Sequence, residues 1–223
     1  MKILALEFSS PQRSVAVVSG QIESVSEVVE TTTGNTMRPF GMIEAALRQA
    51  GGEREQIECL AVGLGPGSYN GIRAAIALAQ GWQLSSRPGG IQLLGVSSAE
   101  CIAAQAQADG FVGRLSVVID AQRGEFYLAR YEVNAAGRRE ISPLLLTTRD
   151  EVCARAQAGE VLIGPEVDRW FPNGRVVFPR AARLGLLARR RPDFVAGEKL
   201  EPIYLRETKF VKAPPPRVFP GLA

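Results

Sequence analysis

The two halves of this chain carry the same order of strand and helix patterns. Short apolar runs and period-two alternation predict three strands at the start, and apolar residues at helical spacing then alternate with further short strands. The predicted segments of the first half are strands at 3–6, 15–18 and 22–29, a helix at 37–50, a strand at 60–64, a helix at 72–84, a strand at 91–94 and a helix from Ser97 or Ser98 towards Ala108.

The second half repeats this order from residue 115. Its predicted segments are strands at 115–119, 126–133 and 141–146, a helix at 149–157, a strand at 161–163, a short helix near 167, a strand at 176–178 and a helix at 181–190. Duplicated βββαβαβα units predict an α/β fold of two lobes around mixed sheets. We expect an N-terminal lobe at 1–110, a C-terminal lobe at 111–212, and a flexible proline-rich tail at 213–223.

The composition restricts the chemistry, because the 223 residues include no histidine. Triads that use histidine, histidine-assisted cysteine chemistry and imidazole metal sites are therefore excluded, and we expect no catalytic residue and no metal ligand set. A net charge of +3 is too mild to predict an RNA-binding surface on its own. The sequence shows neither a bilayer-length apolar run nor a secretory leader, so we expect a cytoplasmic protein without a membrane partner.

Carboxylates stand at equivalent places in the two halves. Glu7 ends the first strand of one half and is followed by Ser9, while Asp120 ends the first strand of the other and is followed by Arg123. In a two-lobed fold such strand ends face the cleft, where they could hold a magnesium-nucleotide. The alternative is that both carboxylates only cap or brace their turns.

A glycine loop precedes the second helix. GPGSYNGIR at 65–73 has the strand-to-helix position of an anion site, but it fits neither the dinucleotide fingerprint nor the Walker loop. The apolar run at 74–79 leaves this helix little polar face, which indicates an association surface with the helix at 37–50 or, alternatively, simple core burial. Arg189, Arg190 and Arg191 fall at a predicted helix end, where they serve as a solvated helix cap or contact tRNA.

The motifs in order resemble those of the TsaB (YeaZ) family of the actin-like and sugar-kinase-like ATPase superfamily. The matching stretches are ILALEFSS with SVAVV, AVGLGPGSYNGIRAAIALAQG, GVSSAE, DAQRGEFYLARY and EPIYLRE. The resemblance runs from end to end and implies ribonuclease H-like lobes. The chain departs from the family at Glu7, where Asp is usual, at Tyr69-Asn70, where Phe-Thr is usual, and at 31–40.

The resemblance implies a non-catalytic subunit for threonylcarbamoyladenosine modification of ANN-decoding tRNAs. Such a subunit binds and stabilises the catalytic paralogue TsaD, works with a TsaE-type ATPase, meets tRNA indirectly through the complex, and also forms homodimers. TsaD binds its metal through a His-x-x-x-His pair, which this chain lacks. The implied interface lies on the first two helices, at Phe40, Ile43, Leu47, Ile72, Ala75, Ile76 and Ala79.

The resemblance makes Glu7, Ser9, Asp120 and Arg123 a vestigial nucleotide cleft. It implies no cofactor of the chain's own and leaves room for ATP or ADP with magnesium at the complex. The competing hypothesis is an ATP-dependent phosphotransferase or ATPase that uses Glu7 and Asp120. Proteolysis, the third hypothesis, has no supported nucleophile and no histidine or zinc ligand set.

Overall fold

The computed structural model describes residues 1–19, 24–31, 38–87 and 90–206, and its strands form two five-stranded sheets. The first sheet contains β1 (Ile3–Glu7), β2 (Gln12–Ser19), β3 (Ser24–Thr31), β4 (Cys59–Gly63) and β5 (Gln92–Val96). The second contains β6 (Gly113–Asp120), β7 (Glu125–Val133), β8 (Arg138–Thr148), β9 (Val161–Gly164) and β10 (Arg175–Val176).

The two sheets share one topology. Their orders are β3-β2-β1-β4-β5 and β8-β7-β6-β9-β10, so the first strand of each half is central. In both, that strand pairs antiparallel with the next strand and parallel with the fourth. The prediction of an α/β fold with duplicated units around mixed sheets is confirmed.

Five α-helices accompany these strands in the described ranges. They are α1 (Pro39–Gln49), α2 (Tyr69–Ser85), α3 (Ser98–Ala108), α4 (Arg149–Gln157) and α5 (Ala181–Ala188). Proline suits the start of α1, since it lacks only an N–H that would have no helical partner there. The divergent stretch at 31–40 otherwise lies mostly outside the described residues. Within the described part of the chain, every helix is too short or too polar to cross a membrane.

The helices lie in layers around the sheets. α1 and α2 pack on one face of the first sheet, through Ile43, Ala46, Ile72, Ala75 and neighbouring apolar residues. α5 covers the opposite face of the same sheet, whereas α3 packs mainly on the second sheet. Val152 of α4 packs on the outer face of the second sheet.

The strands divide near residue 110, but the helices do not follow that division. α5 comes from the second half and contributes Ala181, Leu184 and Ala188 to the core of the first sheet. The proposed bounds 1–110 and 111–212 therefore stay a prediction. The tail at 213–223 lies outside the described residues.

Residues 195–206, here called the C-terminal strap, run from α5 back across the first lobe. Val195 N–H donates to the Leu93 carbonyl at 2.9 Å, and Ile203 N–H donates to the Leu64 carbonyl at 2.9 Å. The Tyr204 ring stacks on Tyr69 with ring centroids 5.8 Å apart. The strap then reaches the second lobe through Arg206.

Candidate functional site

A polar cleft of about 480 Å³ lies where the two sheets meet. Its lining comes from the β1–β2 turn, the glycine loop, the β6–β7 turn and the residues after β9: Ser9, Ser10, Pro11, Arg13, Gly67, Ser68, Tyr69, Asn70, Ile119, Asp120, Gln122, Pro165 and Glu166. The cleft thus brings together Ser9 and Asp120 of the four predicted residues. Glu7 and Arg123 are not part of its lining.

The side chain of Glu7 points into the protein. Its carboxylate is fully buried and accepts hydrogen bonds from Ser9 N–H at 2.8 Å and from Ser98 Oγ at 3.0 Å. It occupies the space beside Gly63, where any Cβ would overlap it. Burial raises the pKa of Glu7, and the hydrogen bonds from Ser9 and Ser98 oppose that rise only in part. The expectation that Glu7 faces the cleft is therefore corrected, because this carboxylate braces the interior of the first lobe.

The glycine loop is packed tightly against the first strand. Gly67 and Gly71 approach the Ser9 and Phe8 carbonyls so closely that a Cβ at either position would overlap them. Loop amides are already engaged, since Gly65 N–H donates to Ser98 Oγ at 3.1 Å and Ser68 N–H donates to the Ser9 carbonyl at 2.7 Å. The glycines of this motif therefore serve close packing, and few amides are left for an anion.

The β6–β7 turn contains Asp120 and Arg123. Asp120 Oδ1 accepts a hydrogen bond from Gln122 N–H at 2.7 Å, and Gln122 and Arg123 adopt φ values of 62° and 58°. Left-handed backbone is costly for such side chains, so contacts must hold the turn. Arg206 of the C-terminal strap supplies them, by donating to the Ala121 carbonyl at 3.0 Å and pairing with Glu125.

The contacts between Arg206 and the β6–β7 turn account for two sequence motifs together. DAQRGE forms the turn, and the arginine of EPIYLRE holds it from the other lobe. Sequence reasoning missed the role of Arg206, because 81 residues separate it from Glu125.

The cleft also contains Arg13, two of whose guanidinium nitrogens are unsatisfied in the described part of the chain. Nε and Nη1 of Arg13 are buried and have no hydrogen-bond partner among the described residues. Asp120 and Glu166 line the same cleft, which therefore offers one cation and two carboxylates to a small polar ligand. Because the Glu7 carboxylate is buried and does not line the cleft, these residues do not fit the magnesium-nucleotide site expected from Glu7 and Asp120. In the described ranges, no three His, Cys, Asp or Glu side chains are grouped to hold a metal ion.

The predicted interface residues lie mostly in the core. Ile72, Ala75, Ile76 and Ala79 form the inner face of α2, and Ile43 does the same in α1. Leu47 is half-buried, and Phe40 is exposed over 68% of its surface. This corrects the residue assignment, because residues spaced three and four apart on α2 face its own sheet. An association surface on these helices stays a prediction and would use their outer faces.

Part of the outer face of α2 is apolar, from Ala77 to Leu84, and it follows the exposed Arg73 one turn earlier. Ala77 and Gly81 are exposed one turn apart, and Leu84 is exposed over 87% of its surface. On α1, which packs on the same side of the first sheet, Phe40 and Gly41 are exposed at the helix start and are followed by the exposed Glu44 and Arg48. We call Phe40, Gly41, Ala77, Gly81 and Leu84 the outer helical face.

The two glycines of this face make no close packing contact with the described residues. A Cβ at Gly41 or Gly81 would meet no atom within 4 Å. Glycine inside a helix costs about 1 kcal/mol relative to alanine. No contact with the described residues requires glycine at either position, whereas glycine would permit a second helix to approach closely. Helix-interior glycine was the sequence signal that could have found this face.

Comparisons with known proteins find a TsaD family model and relatives named TsaB or YeaZ. A family model described as TsaD, tRNA N6-adenosine threonylcarbamoyltransferase, matches residues 38–204. The tRNA threonylcarbamoyladenosine biosynthesis protein TsaB of Escherichia coli K12 is 29% identical over 224 residues, which cover 92% of this chain and 95% of that protein. TsaB of Bacillus subtilis 168 is 26% identical over 145 residues, covering 64% of this chain and 60% of that protein.

A solved structure gives the same fold. YeaZ from Pseudomonas aeruginosa matches with a TM-score of 0.75 at 24% identity, and the match covers 92% of this chain and 99% of that one. Both lobes of the present chain therefore have a counterpart in one known structure.

Proposed function

We propose that this chain, which belongs to the TsaB (YeaZ) family and matches the TsaD family model over residues 38–204, is a non-catalytic subunit in tRNA threonylcarbamoyladenosine biosynthesis. In this proposal, it binds and stabilises a TsaD-type catalytic paralogue. The paralogue modifies ANN-decoding tRNAs with the help of a TsaE-type ATPase. The name of the Escherichia coli relative, a biosynthesis protein for this nucleoside, supports the pathway assignment.

The outer helical face is the observation that supports the partner role. Leu84 exposes a large apolar side chain near the end of α2, where Gly81 leaves the helix backbone accessible, and Phe40 exposes a second large apolar side chain at the start of α1. Large exposed apolar groups around small residues are typical of helix-to-helix association. The occupant we propose is the corresponding helix pair of the TsaD-type paralogue, since a related fold can present a matching face.

The content of the cleft supports a non-catalytic role. A phosphotransferase of this fold would need carboxylates that reach a bound metal-nucleotide, and Glu7 is instead sealed against Ser9 and Ser98. Asp120 alone remains at the cleft of the two equivalent carboxylates. The ATPase alternative is therefore the weaker one.

The test is co-purification with the TsaD-type protein of the same organism, followed by light scattering to determine the mass of the complex. We expect a stoichiometric heterodimer with the wild-type chain. Ala77→Glu places a charge in the outer helical face and should weaken pairing by at least about tenfold, because an unpaired charge would be desolvated at the contact.

Ala154→Glu is the matched control, because Ala154 is also an exposed alanine on an outer helix, α4. It should pair as the wild type does. Normal pairing by a folded Ala77→Glu variant would count against this surface, and a wild-type chain that forms only homodimers would assign the face to a second copy.

A further inference from the structure

A second concave surface lies beside α5, on the side of the first sheet opposite to α1 and α2. This groove of about 840 Å³ runs between α3, the end of α5 and the β7–β8 hairpin. Its charged lining consists of Arg138, Arg183, Arg189, Arg190, Arg191, Glu100 and Glu140, and we call it the arginine groove.

The arginine groove concentrates positive charge. Five arginines and two glutamates leave a surplus of three positive charges in one groove, as large as the formal net charge of +3 of the whole chain. This groove is therefore strongly basic, although the protein as a whole is only mildly basic. Such focusing of like charge in a concavity attracts polyanions.

Two of the arginines are fixed in place by one carboxylate. Glu100 pairs with Arg191 at 2.5 Å and with Arg138 at 3.5 Å, and Arg138 also donates to Gln107 Oε1 at 3.3 Å. A guanidinium has five N–H donors, so both retain donors for a ligand. Glu100 thereby holds the cations on opposite walls of the groove in fixed positions.

Two other arginines have no such carboxylate. Arg183 and Arg190 form no ion pair with any residue in the described ranges. The helix dipole explains cations just after α5, as at Arg190, but it explains neither Arg183 within the helix nor Arg138 on β8. The positions of Arg183 and Arg138 in the groove therefore need a different reason.

We propose that the arginine groove binds the phosphate backbone of RNA, which under the proposed function is that of the tRNA substrate. Guanidinium groups bind phosphate oxygens in a bidentate manner, and phosphate contacts position a nucleic acid without reading its bases. The groove stays open when the outer helical face is occupied, because α5 and α1/α2 cover opposite faces of the first sheet. This chain then contributes a direct RNA contact beside the catalytic partner.

The experiment measures binding of an unmodified, ANN-decoding tRNA transcript to the full chain by fluorescence anisotropy at several salt concentrations. Arg183→Gln combined with Arg190→Gln should weaken binding about tenfold and reduce the slope of log affinity against log salt by roughly 1.4–1.8, the contribution of two phosphate contacts. The lysine pair at the same positions should restore the slope and only part of the affinity, since lysine lacks the bidentate geometry.

The matched control is Arg169→Gln with Arg175→Gln, which removes the same charge from exposed positions outside the groove. Equal effects of the two double variants, or no RNA binding by either the chain or its complex, would overturn the proposal. Tighter binding of polyglutamate than of tRNA would assign the groove to an acidic protein and overturn it as well. Light scattering of the wild-type chain with the TsaD-type partner separates the two proposals. If the two proteins do not pair, the proposed function is refuted, whereas RNA binding by the isolated chain still tests the proposal for the arginine groove.

Discussion

The outer helices of the two lobes differ although the sheets beneath them share one topology. α4 on the second lobe buries only Val152 and exposes charged residues, including the Glu151–Arg155 ion pair. α2 on the first lobe is longer, and beyond the exposed Arg73 its outer residues include Ala77, Gly81 and Leu84. The exposed residues of the outer helix are therefore mostly polar in the second lobe and partly apolar in the first, and an apolar surface of this kind favours contact with another protein.

The largest expected effect comes from one substitution placed in the outer helix of each lobe. Ala75→Glu puts a charge on the fully buried inner face of α2 and should lower the free energy of unfolding by about 3–5 kcal/mol, since a buried charge would lack a partner. Ala154→Glu on α4 should change it by less than about 0.5 kcal/mol. Urea denaturation followed by circular dichroism measures both, and a stable Ala75→Glu variant would contradict the assignment of the inner face.

A smaller effect, of opposite sign in the two lobes, is expected from glycine replacement. Gly81→Ala should raise the free energy of unfolding by up to about 1 kcal/mol, because the site is exposed and helical with no neighbouring atom. Gly159→Ala, after α4, should lower it by about 1 kcal/mol, since Gly159 has a φ of +82°.

The partner should reverse the gain at Gly81. If a helix of the TsaD-type protein packs on this backbone, Gly81→Ala should weaken the complex while it stabilises the free chain. Isothermal titration calorimetry on the purified variant provides this check, and unchanged affinity would mean that no helix approaches Gly81 closely.

The smallest effect concerns the equivalent carboxylates, Glu7 sealed in the first lobe and Asp120 at the cleft. Burial raises the pKa of Glu7 above its ordinary value of 4.5, so the folded chain keeps a proton there that the unfolded chain has released. The free energy of unfolding therefore falls as pH rises from 4.5 through the raised pKa. Glu7→Gln keeps the shape, and its stability relative to wild type should increase over that window.

Thermal unfolding from about pH 4 to about pH 8 measures this difference. Parallel curves for Glu7→Gln and the wild type would mean that the Glu7 carboxyl titrates alike in the folded and unfolded chains.

Local patterns predicted most of the secondary structure, because alternation and helical spacing depend on near neighbours. The bounds of α4 agree with the sequence interpretation, whereas β8 runs from Arg138 to Thr148 because it pairs along the whole of β7. The position of α5 was not predictable. Its apolar residues at 181, 184 and 188 indicate a buried face but do not tell which sheet that face covers.

The candidate sites were harder to predict, because side-chain direction depends on distant residues. All of β1 is buried, so its pattern does not tell that Glu7 turns towards Ser98, 91 residues away. The opposite holds for α2, where the spacing of Ile72, Ala75, Ile76 and Ala79 already marks one face as inner. The apolar character of these residues alone suggested an interface, but their helical spacing predicts that they form the buried face of α2.

The late position of α5 in the chain has a consequence for synthesis on the ribosome. The strands of the first sheet emerge early, yet the face formed by Ile3, Ala5 and Val18 is covered by Leu184 and its neighbours only when almost the whole protein has been made. Contacts this distant in sequence form slowly and leave apolar surface open meanwhile. A chain that ends before residue 181 would therefore lack the helix that covers most of this sheet face.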